Sequence, residues 1–181
     1  MRVVGGSLGG RSLVAPRGRG TRPTPERVRE ALFSILGNLD GLRVLDLFAG
    51  SGALGIEALS RGAAEVTLVD AGRGAVEAIA RNLSSLRIDA EVRRQTAAAF
   101  LQQAGSERRQ YDLVFLDPPY GEAVRLAPQL STALAPVLAA GARVVFESDR
   151  RNPAELDRLR CVDERRYGDT LIRIYANVRS S

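Results

Sequence analysis

An α/β fold, with a mostly parallel seven-stranded sheet and helices on both faces, follows from three features of this 181-residue sequence. From Leu42 onward, short apolar runs alternate with segments of helical periodicity. Strands separated by helices form right-handed βαβ units, and such units build parallel sheets. The first apolar run ends in an acidic residue and a Gly-rich turn that opens a helix, the arrangement of an open, doubly wound sheet. The length fits one domain, and no internal repeat is visible.

Each element has its own signal. Residues 1–39 read as a basic arm and a helix, and residues 40–181 as the α/β core. Gly5-Gly6, Gly9-Gly10 and Gly18-Arg19-Gly20 mark turns. Extended pieces at Arg2–Val4 and Arg11–Val14 can pair as a hairpin. Thr24 is suited to cap a helix with Pro25 in its first turn. Val28, Leu32, Ile35 and Leu36 recur at helical spacing, so Pro25–Leu36 should be amphipathic and should stop at Gly37-Asn38. Strands are expected at Arg43–Phe48, Glu65–Asp70, Ala90–Gln95, Asp112–Asp117, Arg143–Glu147 and Thr170–Val178, with a further strand region at Leu159–Val162. Helices are expected at Ala53–Ser60, Ala75–Leu86, Ala97–Gln103 and Ala123–Leu138. The last strand lacks a helix of comparable quality before it, so it reads as an antiparallel edge.

Composition narrows the chemistry. There is no histidine and one cysteine, Cys161. A disulfide within the chain, a Cys/His zinc site and a histidine general base are therefore excluded, and no metal is expected. Cys161 reads as a small buried apolar residue of its strand. The 26 basic residues are all arginine, against 21 acidic ones, for a net charge of +5. Arg2, Arg11, Arg17, Arg19, Arg22, Arg27 and Arg29 gather before Ala31 with only Glu26 and Glu30 against them. Arg11, Arg17, Arg19, Arg22 and Arg27 are the candidates for phosphate contact with RNA. No apolar run approaches the ~18–20 residues that span a bilayer, and Met1-Arg2-Val3-Val4-Gly5-Gly6 is no secretory signal. A cytoplasmic monomer is expected.

Two motifs carry chemistry. The first is Asp46-Leu47-Phe48-Ala49-Gly50-Ser51-Gly52, where glycines allow positive φ and let a ligand approach the backbone. Gly50-x-Gly52-x-x-Gly55 also matches a dinucleotide fingerprint, but a carboxylate at Asp46 would repel pyrophosphate. Asp46 suits a cationic ligand such as a methionyl ammonium. Asp70 ends the next strand 18 residues after Gly52, where it can accept hydrogen bonds from both ribose hydroxyls. Together with the next motif, which weighs most, this favours S-adenosylmethionine over a nicotinamide cofactor. The second motif is Asp117-Pro118-Pro119-Tyr120 at the end of the fourth strand. An exocyclic amine on a base is a poor nucleophile because its lone pair is delocalised into the ring. The Asp117 carboxylate and the Pro118 carbonyl, gripping both N–H groups, would localise that lone pair. Pro119 has no N–H, and both prolines stiffen the turn. Tyr120 can stack on an extruded base.

These motifs resemble those of class I amino-group methyltransferases, a Rossmann-like fold. The Asp-Pro-Pro-Tyr motif is shared with DNA adenine methyltransferases and does not choose the base. Arg22-Pro23-Thr24, Val28-Arg29-Glu30-Ala31-Leu32-Phe33 and the continuous stretch from Asp46 to Ala63 are similar to the RsmD family, and Arg11 and Pro16 fit it too. The resemblance implies methyl transfer from S-adenosylmethionine to N2 of a guanine in bacterial 16S ribosomal RNA, within a small subunit or assembly particle. It also places Arg22 and Thr24 beside the methionyl end of the cofactor. Cofactor contacts are thus expected from Thr24, Asp46, Phe48, Gly50, Gly52 and Asp70. The third strand often ends in Asp or Asn in such enzymes; here Gln95-Thr96 stand there, and either can meet the adenine. A DNA adenine-N6 methyltransferase and a non-catalytic RNA-binding assembly factor are the competing readings.

Overall fold

The computed structural model describes residues 1–16, 24–119 and 121–177. Its elements are α1 (Glu26–Leu36), β1 (Arg43–Leu47), α2 (Ala53–Ser60), β2 (Glu65–Asp70), α3 (Arg73–Leu86), β3 (Glu91–Arg94), α4 (Ala97–Ser106), β4 (Tyr111–Leu116), α5 (Ala123–Leu134), β5 (Leu138–Asp149), β6 (Arg160–Tyr167) and β7 (Thr170–Ala176). They form one seven-stranded sheet in the order β3-β2-β1-β4-β5-β7-β6. The first five strands in that order are parallel, and β7 runs antiparallel to both β5 and β6. The order reverses between β1 and β4, which opens a crevice at their carboxyl ends, where ligands bind in such sheets.

The pleat sends alternate side chains to opposite faces, and two cores result. Val44, Leu68, Leu113 and Phe115 pack with Leu32 and Phe33 of α1, Ile56 of α2 and Ile79 of α3. Leu45, Leu47, Val114, Leu116 and Phe146 pack with Phe100 and Leu101 of α4 and with Leu130 and Leu134 of α5. The arm docks on the first layer. Arg2 bridges Ser12 in antiparallel fashion, and the Leu13 N–H donates to the Met1 carbonyl at 2.8 Å, so the expected hairpin is present in short form.

The arm is held down by three buried polar side chains. Glu57, fully buried on α2, accepts from the Val4 and Gly5 N–H groups at 2.7 and 2.8 Å and from Arg61 Nε at 2.8 Å. Arg29, 1% exposed on α1, places Nη1 3.8 Å from Glu57 and donates through Nη2 to the Arg2 carbonyl at 2.6 Å. Asn82 of α3 accepts from the Val14 N–H and donates to the carbonyls of Val14 and Ser51. Arg29 is thus a structural cation and not part of a phosphate-binding arm, and Arg2 is paired with Glu26 at 2.9 Å.

Four further expectations are corrected. Pro25, not Thr24, occupies the N-cap of α1, without a side-chain cap. The helix α5 stops at Leu134, and a 3-10 turn over Ala135–Val137 leads directly into β5; Pro136 offers no N–H with which to continue the helix. The strand β7 is antiparallel but internal, because β6 is longer than its sequence signal and takes the edge. Cys161 is exposed, since an edge strand leaves its side chain uncovered. Among the described residues no helix is long and apolar enough to cross a membrane.

Candidate active site

The Gly-rich turn after β1 is built around two carboxylates. Phe48 has φ 63°, Gly50 57° and Gly52 78°. A left-handed phenylalanine is strained by about 1–3 kcal/mol and persists only where its surroundings enforce it. The enforcing contacts are visible. The Gly50 N–H donates to Asp70 Oδ2 at 2.9 Å and the Gly72 N–H to Asp70 Oδ1 at 2.8 Å, so Asp70 draws the two loops together. The Gly55 N–H donates to Asp46 Oδ2 at 2.9 Å. Gly52, at the start of α2, has no side chain to cap the helix, and Asp46 supplies that acceptor from the strand below. A side chain at Gly50 would point into open space, meeting only the Phe48 carbonyl at 3.9 Å.

Asp46 is 1% exposed, beneath the loop. It supports the loop from behind, through its bond to the Gly55 N–H. Burial raises its pKa to about 7, and the nearby Asp70 adds to the shift.

At the end of β4, Asp117 is half-buried, Pro118 is buried and Pro119 is exposed. The Pro119 carbonyl accepts from the Glu122 N–H at 2.9 Å, which closes the turn into α5. Burial pushes the Asp117 pKa well above the carboxylate range, and the charges of Glu147 and Asp46 push it the same way. Tyr120 lies outside the described residues, as do Arg17, Arg19 and Arg22.

Glu147, on β5, was not anticipated. Leu116 and Phe146 are register partners on adjacent parallel strands, so Asp117 and Glu147 follow side by side. Glu147 Oε2 accepts from the Thr24 hydroxyl at 2.9 Å, and its side chain is also bonded to Thr170. Burial raises its pKa, against the pull of those two hydroxyls. The sequence signal was there: Val144-Val145-Phe146-Glu147 is an apolar run ending in an acid, like the runs that end at Asp70 and Asp117.

Gln95 and Thr96 separate in the structure. The Thr96 hydroxyl caps α4, accepting from the Ala99 N–H at 3.2 Å. Gln95 Nε2 donates to Gln103 Oε1 at 3.0 Å, and Gln103 Nε2 donates to Glu107 Oε1 at 2.7 Å. A carboxylate only accepts, so this chain fixes both amide orientations. It leaves Gln95 Oε1 buried without a partner, at the end of the strand beside Asp70. Among the arginines, Arg27 is exposed near the start of α1, and Arg11 is exposed with Nη2 donating to the Ser85 carbonyl at 3.2 Å.

A conserved family described as "Conserved hypothetical protein 95" matches residues 1–176. The chain belongs to this family. It is an RsmD-family methyltransferase, as the sequence resemblance implied. The Bacillus subtilis putative rRNA methyltransferase YlbH is 46% identical over 125 residues, 67% of this chain and 68% of that protein. The Escherichia coli ribosomal RNA small subunit methyltransferase D is 43% identical over 122 residues, 66% of this chain and 60% of that protein. The solved structure of the putative methyltransferase yhhF from Escherichia coli superposes with a TM-score of 0.82 at 34% identity, covering 97% of both chains. Class I enzymes of this fold use S-adenosylmethionine, and the open cradle at Gly50 and the unpaired acceptor of Gln95 fit it.

Proposed function

We propose that this RsmD-family protein methylates N2 of a guanine in 16S ribosomal RNA of the small subunit, with S-adenosylmethionine as donor. The observation that carries the reading is Asp117-Pro118-Pro119 directly after β4, beside the Gly-rich turn that follows β1, with the raised basicity of Asp117. The cofactor, when bound, supplies an electrophilic methyl group on a sulfonium. Gly50 and Gly52 shape its cradle, with Phe48 at the turn. Asp70 accepts from ribose hydroxyls with lone pairs left over from its two backbone donors. Asp46 steadies the loop and adds negative potential at the methionyl end, and Thr24 lies at the mouth nearby.

Asp117 and the Pro118 carbonyl hold the target amine and localise its lone pair, so catalysis is mainly alignment. Asp117, a carboxylate made more basic by its surroundings, also stands where the nitrogen sheds its proton. Tyr120 stacks on the extruded base, and Arg11, Arg17, Arg19, Arg22 and Arg27 meet backbone phosphates. These contacts suit a cytoplasmic enzyme acting on ribosomal particles.

Incubation with small-subunit rRNA or particles and methyl-labelled cofactor, followed by nucleoside analysis, should yield N2-methylguanosine. Label in N6-methyladenosine would overturn the base assignment, and unlabelled RNA would overturn the activity. A second measurement concerns the adenine. Gln95→Ala should weaken cofactor binding about 2–10-fold through one lost hydrogen bond, whereas Thr96→Val should lower stability through a lost cap and leave affinity nearly unchanged. Calorimetry with S-adenosylhomocysteine showing the reverse pattern would move the adenine contact to Thr96.

A further inference from the structure

We propose that Glu147 selects guanine, its carboxylate accepting the ring N1–H while Asp117 and Pro118 hold the adjacent N2 amine. The inference rests on the methyl-transfer reading above and supplies what the Asp-Pro-Pro motif lacks, a means of choosing the base.

The geometry comes from strand pairing. Asp117 and Glu147 directly follow the register pair Leu116 and Phe146 on neighbouring parallel strands, which lie about 4.8 Å apart. Both residues are half-buried. Other buried or half-buried carboxylates of this chain have firm donors of their own: Glu57 has Arg29 and Arg61, Glu91 has Arg109, and Asp46 and Asp70 have backbone N–H groups of the glycine loops. Among the described residues no arginine forms an ion pair with Asp117 or Glu147. Glu147 instead accepts from the hydroxyls of Thr24 and Thr170, which counter, without cancelling, the rise in its pKa caused by burial. A carboxylate has room for about four donors, so acceptor capacity remains beside Asp117.

Two adjacent acceptors call for a ligand edge with adjacent donors. Guanine offers one, because its N1–H stands next to the N2 amine. Adenine places a bare N1 lone pair beside its amine, and that lone pair would face the Glu147 carboxylate with repulsion and no hydrogen bond. A site built to bond a donor rejects the analogue that lacks it. A simple latch for Thr24 would need only one neutral acceptor and would not require a carboxylate beside another carboxylate.

The test uses small-subunit rRNA with either guanine or 2-aminopurine at the methylated position. 2-Aminopurine keeps the N2 amine and has no N1–H. Single-turnover rates with saturating cofactor should favour guanine by about 10–100-fold in the unmodified enzyme, the range for a hydrogen bond to a charged group. Glu147→Gln should slow guanine methylation about 10-fold and shrink the gap to a few-fold, because its amide can donate to N1 of 2-aminopurine. Equal rates on both substrates in the unmodified enzyme would overturn the proposal, whether or not the variant folds. So would a Glu147→Gln enzyme that slows on both substrates by one factor and keeps the full gap, the mark of a purely structural residue. An unmodified enzyme that methylates no guanine at all would instead overturn the methyl-transfer reading on which the proposal stands.

Discussion

Asp117→Ala is expected to slow single-turnover methyl transfer about 10²–10³-fold, by analogy with removal of one preorganised polar group from an active site. In the proposed mechanism the carboxylate grips the amine, draws its lone pair out of the ring and stands where the proton leaves. Its loss therefore falls on the chemical step. Binding of S-adenosylhomocysteine should change little, because the proposed cradle is formed by the loops after β1 and β2. Asp117→Asn separates the two tasks. It keeps an acceptor and gives up the basicity that burial and the neighbouring Glu147 and Asp46 impose, so its rate should lie between wild type and Ala. Near-normal turnover in Asp117→Ala, measured with saturating cofactor, would remove Asp117 from the chemistry while leaving the fold intact.

The largest effect on stability is expected at Glu57. Glu57→Ala removes the acceptor for two backbone N–H groups of the arm and leaves Arg29 buried without its counter-charge. Breaking a buried pair from one side costs about 3–5 kcal/mol, which corresponds to a fall in Tm of roughly 6–20 °C for a chain of this size. Burial already lowers the Arg29 pKa in spite of Glu57, so the exposed penalty is that of desolvating the guanidinium. Arg29→Met in the Glu57→Ala background should recover part of the loss, since it removes the stranded charge. Denaturant midpoints would measure both variants, and a Glu57→Ala protein within about 1 kcal/mol of wild type would show the pair to be dispensable.

The sheet was legible in the sequence wherever burial was asymmetric. The helix Ala53–Ser60 and the strand Glu65–Asp70 coincide with their expected bounds, because apolar periodicity and glycine turns agree there. The edge strand β6 was barely legible. Arg160-Cys161-Val162-Asp163-Glu164-Arg165-Arg166 has no clean alternation, and pairing through the backbone alone leaves no pattern in side chains. The end of α5 was overrun because Leu134, Ala135, Val137 and Leu138 continue the apolar run past Pro136.

At the site, the acids ending β1, β2 and β4 were legible because glycine and proline motifs accompany them. Glu147 also ends an apolar run but has no such company, and its place beside Asp117 emerges only when β5 is laid beside β4. Arg29 read as a surface cation. Its partner Glu57 is 28 residues away in a helix of otherwise small and apolar residues, and only folding reveals that the two charges are buried together.

The docking of the arm has a consequence for the order in which the chain folds. Val4 waits for Glu57, 53 positions later, and Val14 for Asn82, 68 positions later. At a synthesis rate of about 5–20 residues per second, the arm spends roughly 3–14 s without its native partners. Closing loops of that length also carries an entropy cost that must be met before the contacts form. The arm is therefore among the last parts of the chain to settle, and the β1–α2–β2–α3 unit must assemble first, as the platform onto which the arm folds back.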